Sequence, residues 1–112
     1  MLRAGLPPAR ALLDAGATVA VASDANAGTF GEPSMPLAIG LAVVLGFTIN
    51  EAVWAATAGG AGALGLDGEI GRLMPGACAD VVAWDAEHEG AFAQRLGGVR
   101  PLWTWFGGQS DD

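Results

Sequence analysis

The chain of 112 residues has no lysine and no tyrosine, one cysteine and one histidine. Its five arginines (Arg3, Arg10, Arg72, Arg95 and Arg100) are scattered, and 12 acidic residues give a net charge of −7. No basic stripe is available to neutralise phosphates, which excludes nucleic-acid binding. A lone Cys78 excludes a disulfide framework and a cysteine-based metal site, and fits a reducing cytoplasm. A lone His88 excludes any site built from several histidines of this chain. Long hydrophobic runs are also missing. The longest, Pro36 to Ile49, is interrupted by Gly40 and Gly46 and falls short of the roughly 20 residues that span a bilayer. It reads as a buried helix, and no membrane partner is expected. The N-terminus lacks the layout of a signal peptide.

What remains is 52% hydrophobic and only 15% charged, which argues against disorder. The length suits one domain with a core. It is too short for a complete eight-stranded α/β barrel, which needs about 250 residues.

Local patterns give an α/β beginning and a β-rich end. Pro7-Pro8 opens a helix over Ala9 to Ala15, with Ala11, Leu12 and Ala15 on one face and Gly16 at its C-terminal cap. Thr18 to Ala22 reads as a strand buried on both faces, and the helix-Gly-strand order is the joint of a parallel sheet. Pro33 to Pro36 starts the apolar helix, which ends near Leu45 at Gly46. Thr48-Ile49-Asn50-Glu51 is a capping box for a helix running to about Ala58. Gly59, Gly60 and Gly62 weaken the next segment, leaving a short helical piece from Ala61 to Leu64.

From Gly65 onward, Gly68, Gly71 and Pro75-Gly76 mark turns. Ala79 to Trp84 and Val99 to Phe106 are strand candidates, the second demoted at its start by Pro101. Leu102, Thr104 and Phe106 share one face, Trp103 and Trp105 the other. Residues from Gln109 to the end are expected to fray.

The stretch Ser23-Asp24-Ala25-Asn26-Ala27-Gly28-Thr29 carries the chemistry. It delivers a carboxylate at the end of a strand, where an α/β barrel keeps its active site. Taken locally, Asp24 reads first as a turn cap, Asn26 and Thr29 as turn formers, and Gly28 as a position with positive φ. Glu32 reads as a solvated carboxylate or a charge near the next helix start. His88 sits among Asp85, Glu87 and Glu89 as a surface residue, and Cys78 has no neighbouring base to activate it.

The series from Leu12 to Thr29 resembles the last strand and loop of imidazolonepropionase, which reads (Ser/Thr)-Asp-x-Asn-Pro-Gly-(Thr/Ser) there. The resemblance continues in Ser34-Met35-Pro36-Leu37, Thr48-Ile49-Asn50-Glu51-Ala52, Ala63 to Leu66 and Arg95 to Val99. The run from Ile70 to Asp85 is similar to many metal-dependent amidohydrolases.

The resemblance implies the C-terminal fragment of a (β/α)8 amidohydrolase barrel, residues 1–68, followed by residues 69–112 as strands of a small composite β-sandwich. It implies hydrolysis of the ring amide of 4-imidazolone-5-propanoate to N-formimidoyl-L-glutamate, in the cytoplasm, with one divalent metal, zinc or iron. Asp24 would be the metal-site carboxylate and the proton carrier. Asn26, the Gly28 N–H and Thr29 would hold the substrate. Full-length members are commonly homodimers. Ala27 replaces the family's proline, Ala77 a common lysine, and Gly59-Gly60 part of an Asn-Ala-Ala segment. The family's His-x-His, later metal histidines and substrate arginine and tyrosine have no counterpart here. The isolated chain is therefore expected to lack hydrolase activity and to be a fragment. Alternatives are the same portion of another cyclic-amide or amidine hydrolase or deaminase, and a non-catalytic fragment that binds a partner chain.

Overall fold

Helix ends in this chain are built from local chemistry, and they set out the architecture. The computed structural model describes residues 5–28, 31 and 33–110. Helix α1 spans Ala9–Asp14 after Pro7-Pro8. It closes when the Gly16 N–H donates to the Leu13 carbonyl and the Ala17 N–H to the Leu12 carbonyl, a Schellman closure that needs a left-handed residue. Helix α2, Met35–Val44, starts at Ser34, whose hydroxyl accepts from the Leu37 N–H at 3.3 Å. It ends in the same closure at Gly46, with φ +104°.

Thr48 and Glu51 form the anticipated capping box at the start of α3, Ile49–Ala56. That helix stops earlier than expected. Thr57 leaves the helical region at φ −122°, ψ −93°, and a separate helix α4 covers Ala58–Ala63. The glycines that should weaken this segment lie inside it. Gly59 explains why: a Cβ there would sit 2.7 Å from the Trp54 ring and 3.0 Å from the Val19 carbonyl oxygen. Close packing outweighs the helix propensity lost.

The second half holds strand β1 (Val81–Trp84), a four-residue helix α5 (Ala91–Gln94), β2 (Pro101–Phe106) and β3 (Gln109–Ser110). They form one antiparallel sheet in the order β1-β2-β3. Pro101 stands opposite Trp84, where the register slips after Ala83, as a residue without an N–H requires. The expected fraying fails at Gln109 and Ser110, which pair with Phe106 and Trp105. The Gly107 N–H, in the intervening turn, donates to Asp80 Oδ1 at 2.8 Å and holds that hairpin down.

One core runs through both halves. Ala9, Ile39, Ala42, Phe47, Ala52 and Ala55 are buried with Ala91, Phe92 and Val99. Phe92 stands edge-on against Trp84, with centroids 5.4 Å apart. The predicted apolar face of α1 is corrected: Ala11, Leu12 and Ala15 are exposed, while Ala9 is buried and Leu13 packs on the core. Among the described residues no helix is long and apolar enough to cross a membrane.

The predicted strand Thr18 to Ala22 is also corrected. The segment belongs to no sheet, and Thr18, Ala20 and Ala22 are exposed while Val19 and Val21 are half-buried. A parallel strand draws its hydrogen bonds from neighbouring strands. No strand of the described residues lies beside it, and the Val21 N–H donates instead to the Ala55 carbonyl at 3.0 Å.

Candidate functional site

The segment leaving α1 follows a helix tied down by Arg10 and packs on the core before it reaches Asp24. On one flank Arg10 links three elements. Its Nη1 and Nη2 donate to the two carboxylate oxygens of Glu51 at 2.8 and 3.2 Å. Its Nε donates to Asp14 at 2.8 Å, and Nη1 also reaches the Gly46 carbonyl at 3.2 Å. This fork joins α1 to the start of α3. It raises the Arg10 pKa. The Arg10 side chain, then the donated Thr48 N–H, lower the Glu51 carboxyl to about 2. Sequence reading found Glu51 through its capping box but missed Arg10, whose partner lies 41 positions away. On the other flank, Val19 and Val21 pack against the core and α4 passes close to the Val19 carbonyl.

Asp24 comes next at φ +52°, the one non-glycine among the described residues with positive φ. Aspartate tolerates this region better than most side chains. The left-handed residue predicted for Gly28 thus falls at Asp24. The side chain of Asn26 fixes the loop from within: Nδ2 donates to the Asp24 carbonyl at 2.8 Å, and Oδ1 accepts from the Gly28 N–H at 2.9 Å. Asp24, Asn26 and Gly28 are therefore brought together, and all three are exposed. Asn26 and the Gly28 N–H satisfy each other in this arrangement, so a bound anion would have to replace that hydrogen bond. Thr29 and Glu32 lie outside the described residues.

The loop offers one exposed carboxylate on a left-handed backbone, next to a turn whose amide donors can be exchanged. Left-handed non-glycine residues persist where the surroundings hold them, and they cluster at functional sites. A metal needs more. Among the described residues no group of three histidines, cysteines or carboxylates could hold an ion, and a site of this type takes several protein ligands. Asp24 alone does not fit a divalent metal. His88 is exposed before α5, as expected from sequence, and Cys78 is exposed, with its N–H donating to the Glu69 carbonyl.

Comparison with known proteins places this loop in context. The sequence pattern of the amidohydrolase family matches residues 1–110. An imidazolonepropionase of Streptomyces griseus is 49% identical over 108 residues, covering 96% of this chain and 27% of the relative. One of Nocardia farcinica is 54% identical over 96 residues, covering 85% of this chain and 24% of the relative. The crystal structure of an amidohydrolase from Thermotoga maritima superposes with a TM-score of 0.75 at 22% identity, covering 93% of this chain and 25% of that one. The chain spans about a quarter of the length of the curated relatives it matches.

Proposed function

The chain belongs to the amidohydrolase family, and on that premise we propose that it is the C-terminal portion of an imidazolonepropionase. The proposed reaction opens the ring amide of 4-imidazolone-5-propanoate to N-formimidoyl-L-glutamate in cytoplasmic histidine degradation. The observation that carries this reading is an identity of 49% across 96% of the chain, which includes the Asp24 loop.

In this reading Asp24 handles the proton. Its carboxylate takes a proton from the water that attacks the ring carbonyl carbon. It then delivers that proton to the ring nitrogen as the C–N bond breaks. The left-handed backbone at Asp24, its carbonyl held by the Asn26 side chain, supports the role, because a proton carrier must be held within hydrogen-bond reach of both atoms. Asn26, the Gly28 N–H and Thr29 are the proposed contacts to the propanoate arm. Family members generally use a metal, here zinc or iron. Asp24 would be one donor to it, and the others would come from outside these residues. Residues up to Gly68 are assigned to the end of the barrel and the rest to a composite β-sandwich. Trp103 on one face of the sheet and Phe106 on the other are both more than half exposed, and uncovered faces of this kind support the second assignment, since each needs a covering layer. A small molecule is the proposed substrate and a homodimer the proposed assembly of the whole enzyme.

A chimera tests the reading: residues 5–110 of this chain replace the matched portion of the Streptomyces griseus relative. The folded chimera should hydrolyse imidazolonepropanoate, and Asp24→Asn within it should lose about 10²–10⁴-fold in kcat/KM. A folded chimera that ignores this substrate but opens another cyclic amide or amidine would move the assignment to a sister activity. Unchanged turnover in the Asp24→Asn chimera would remove Asp24 from the chemistry.

A further inference from the structure

The chain leaves α4 through a turn at Leu66-Asp67-Gly68-Glu69. The Glu69 N–H donates back to the Leu66 carbonyl at 3.1 Å, and Gly68 sits inside the turn at φ +82°. That φ calls for a residue without a Cβ. Asp67 is the one aspartate followed by glycine in the chain, and no asparagine is.

Three features set this peptide bond apart. Asp67, Gly68 and Glu69 are all exposed, and a Cβ built on Gly68 would meet nothing within 4 Å. Among the described residues the Gly68 N–H donates to no backbone acceptor, so its nitrogen is not spent on the fold. Arg72 Nη2 donates to Asp67 Oδ1, in an ion pair whose side chains are 40% and 67% exposed.

An aspartate carboxyl and the next main-chain nitrogen are already joined through three bonds, which gives their reaction a high effective concentration. Attack of the Gly68 nitrogen on Asp67 Cγ forms an N–C bond and closes a five-membered imide. One carboxyl C–O bond breaks, and the oxygen leaves as water with the carboxyl proton and the amide proton. Water then adds to the Asp67 main-chain carbonyl carbon and breaks its bond to the Gly68 nitrogen. The chain now runs through Cγ, and the former main-chain carbonyl is a free carboxylate. Addition at Cγ instead restores aspartate. Water is the only other reactant.

We infer that Asp67–Gly68 is a self-modification site, where the backbone isomerises to isoaspartate, and that Arg72 restrains it. Ring closure needs a protonated oxygen that can leave as water. An oxygen accepting from a guanidinium carries no proton, so the ion pair and the reaction compete for one carboxyl. The product adds a methylene to the backbone of a turn that also anchors the next loop, through the Cys78 N–H on the Glu69 carbonyl at 2.7 Å.

The test holds the 112-residue chain for several weeks at mildly acidic pH and physiological temperature. Electron-transfer fragmentation of its peptides then tells isoaspartate from aspartate. Isoaspartate should build up at position 67 at least about 10-fold faster than at Asp14, Asp24 or Asp85, where a Cβ on the following alanine crowds the nitrogen. Arg72→Gln should speed it by about 2–5-fold, the range that an exposed ion pair can supply. Asp67→Glu keeps the charge but cannot close a five-membered ring, and should stay unmodified. In strong urea the parent and Arg72→Gln should react alike.

Isoaspartate no faster at position 67 than elsewhere, or equal rates for the folded parent and Arg72→Gln, overturns the inference. So does a rate ratio that persists in strong urea, since the restraint would then lie outside the fold. Should Arg72→Gln fail to fold, the parent decides. Salt at about 1 M, where the Debye length is about 3 Å, should speed the parent, and an unchanged rate overturns the role of Arg72.

Discussion

Helices α1 to α4 close their own backbone hydrogen bonds and bury small side chains, with Ala52 and Ala55 at 0% and 1% exposure. Strands β1 to β3 pair with one another along part of their edges, yet Leu102, Trp103 and Phe106 stay more than half exposed. The helical region carries the caps and the core. The sheet carries the large aromatic surface and reaches the core mainly through Trp84, which meets Phe92 from α5. Pairing between strands and packing of their side chains are thus separate properties. A sheet acquires the first from its own strands and the second only from another layer.

The sharpest way to break this contrast is at the joint. Phe92 is 6% exposed and holds α5 and β1 against the helices. Phe92→Ala should cost about 3–5 kcal/mol, the range for a buried phenylalanine. The urea midpoint checks it, read together with near-ultraviolet circular dichroism, which should lose the ordered Trp84 signal. A loss below about 1 kcal/mol would mean the two regions are not coupled through this ring.

A smaller effect probes packing against propensity inside the helical region. On propensity alone, Gly59→Ala in α4 should gain about 1 kcal/mol. The added Cβ would lie 3.0 Å from the Val19 carbonyl oxygen and closer still to Trp54. Overpacking should reverse the sign, giving a loss of about 1 kcal/mol in the denaturation midpoint. A gain would show that α4 and the segment before Asp24 are packed more loosely than the geometry indicates.

The Arg10–Glu51 fork should appear as a pH dependence. Glu51 has its pKa lowered from 4.5 to about 2 by Arg10 and by the Thr48 N–H. A depressed carboxyl contributes stability above its unfolded pKa and loses it as pH falls through the folded value. Thermal midpoints of the parent should therefore drop between pH 4.5 and 2. Glu51→Gln should start lower at neutral pH and change less across that window. Parallel profiles for the two would mean the fork contributes nothing in solution.

The elements legible in the sequence are those whose causes are local. Thr48 and Glu51 announce their helix because each satisfies the other's backbone. Gly16 and Gly46 end theirs because only a left-handed residue completes the closure. The misread elements depend on partners far along the chain. Thr18 to Ala22 has the composition of a strand but no neighbouring strand among the described residues, so it stays extended outside any sheet, with the Val21 N–H donating to the Ala55 carbonyl. Helix α5 was missed because four residues starting at Ala91 carry no periodicity, and burial of Phe92 is what holds them. The Asp24 loop was half legible. Its turn chemistry showed in Asp24, Asn26 and Gly28, while the left-handed residue fell at Asp24, where Asn26 grips its carbonyl.

The exposed sheet offers the smallest expected effect and the finest comparison. Trp103 lies opposite Ala83 across β1 and β2 and is 56% exposed. Threonine keeps the β-branched preference for a strand, so Trp103→Thr removes mainly apolar surface that water already reaches. Its cost should stay within about 0.5 kcal/mol, against several for Phe92→Ala, when both are measured in the same urea series at low protein concentration. If Trp103→Thr instead costs as much as Phe92→Ala, this face is already covered in the free chain, and the cover can only be another copy. In that case the cost should shrink as the chain is diluted, because association stabilises by mass action. A small cost independent of concentration leaves the sheet with a face that still lacks its opposing layer.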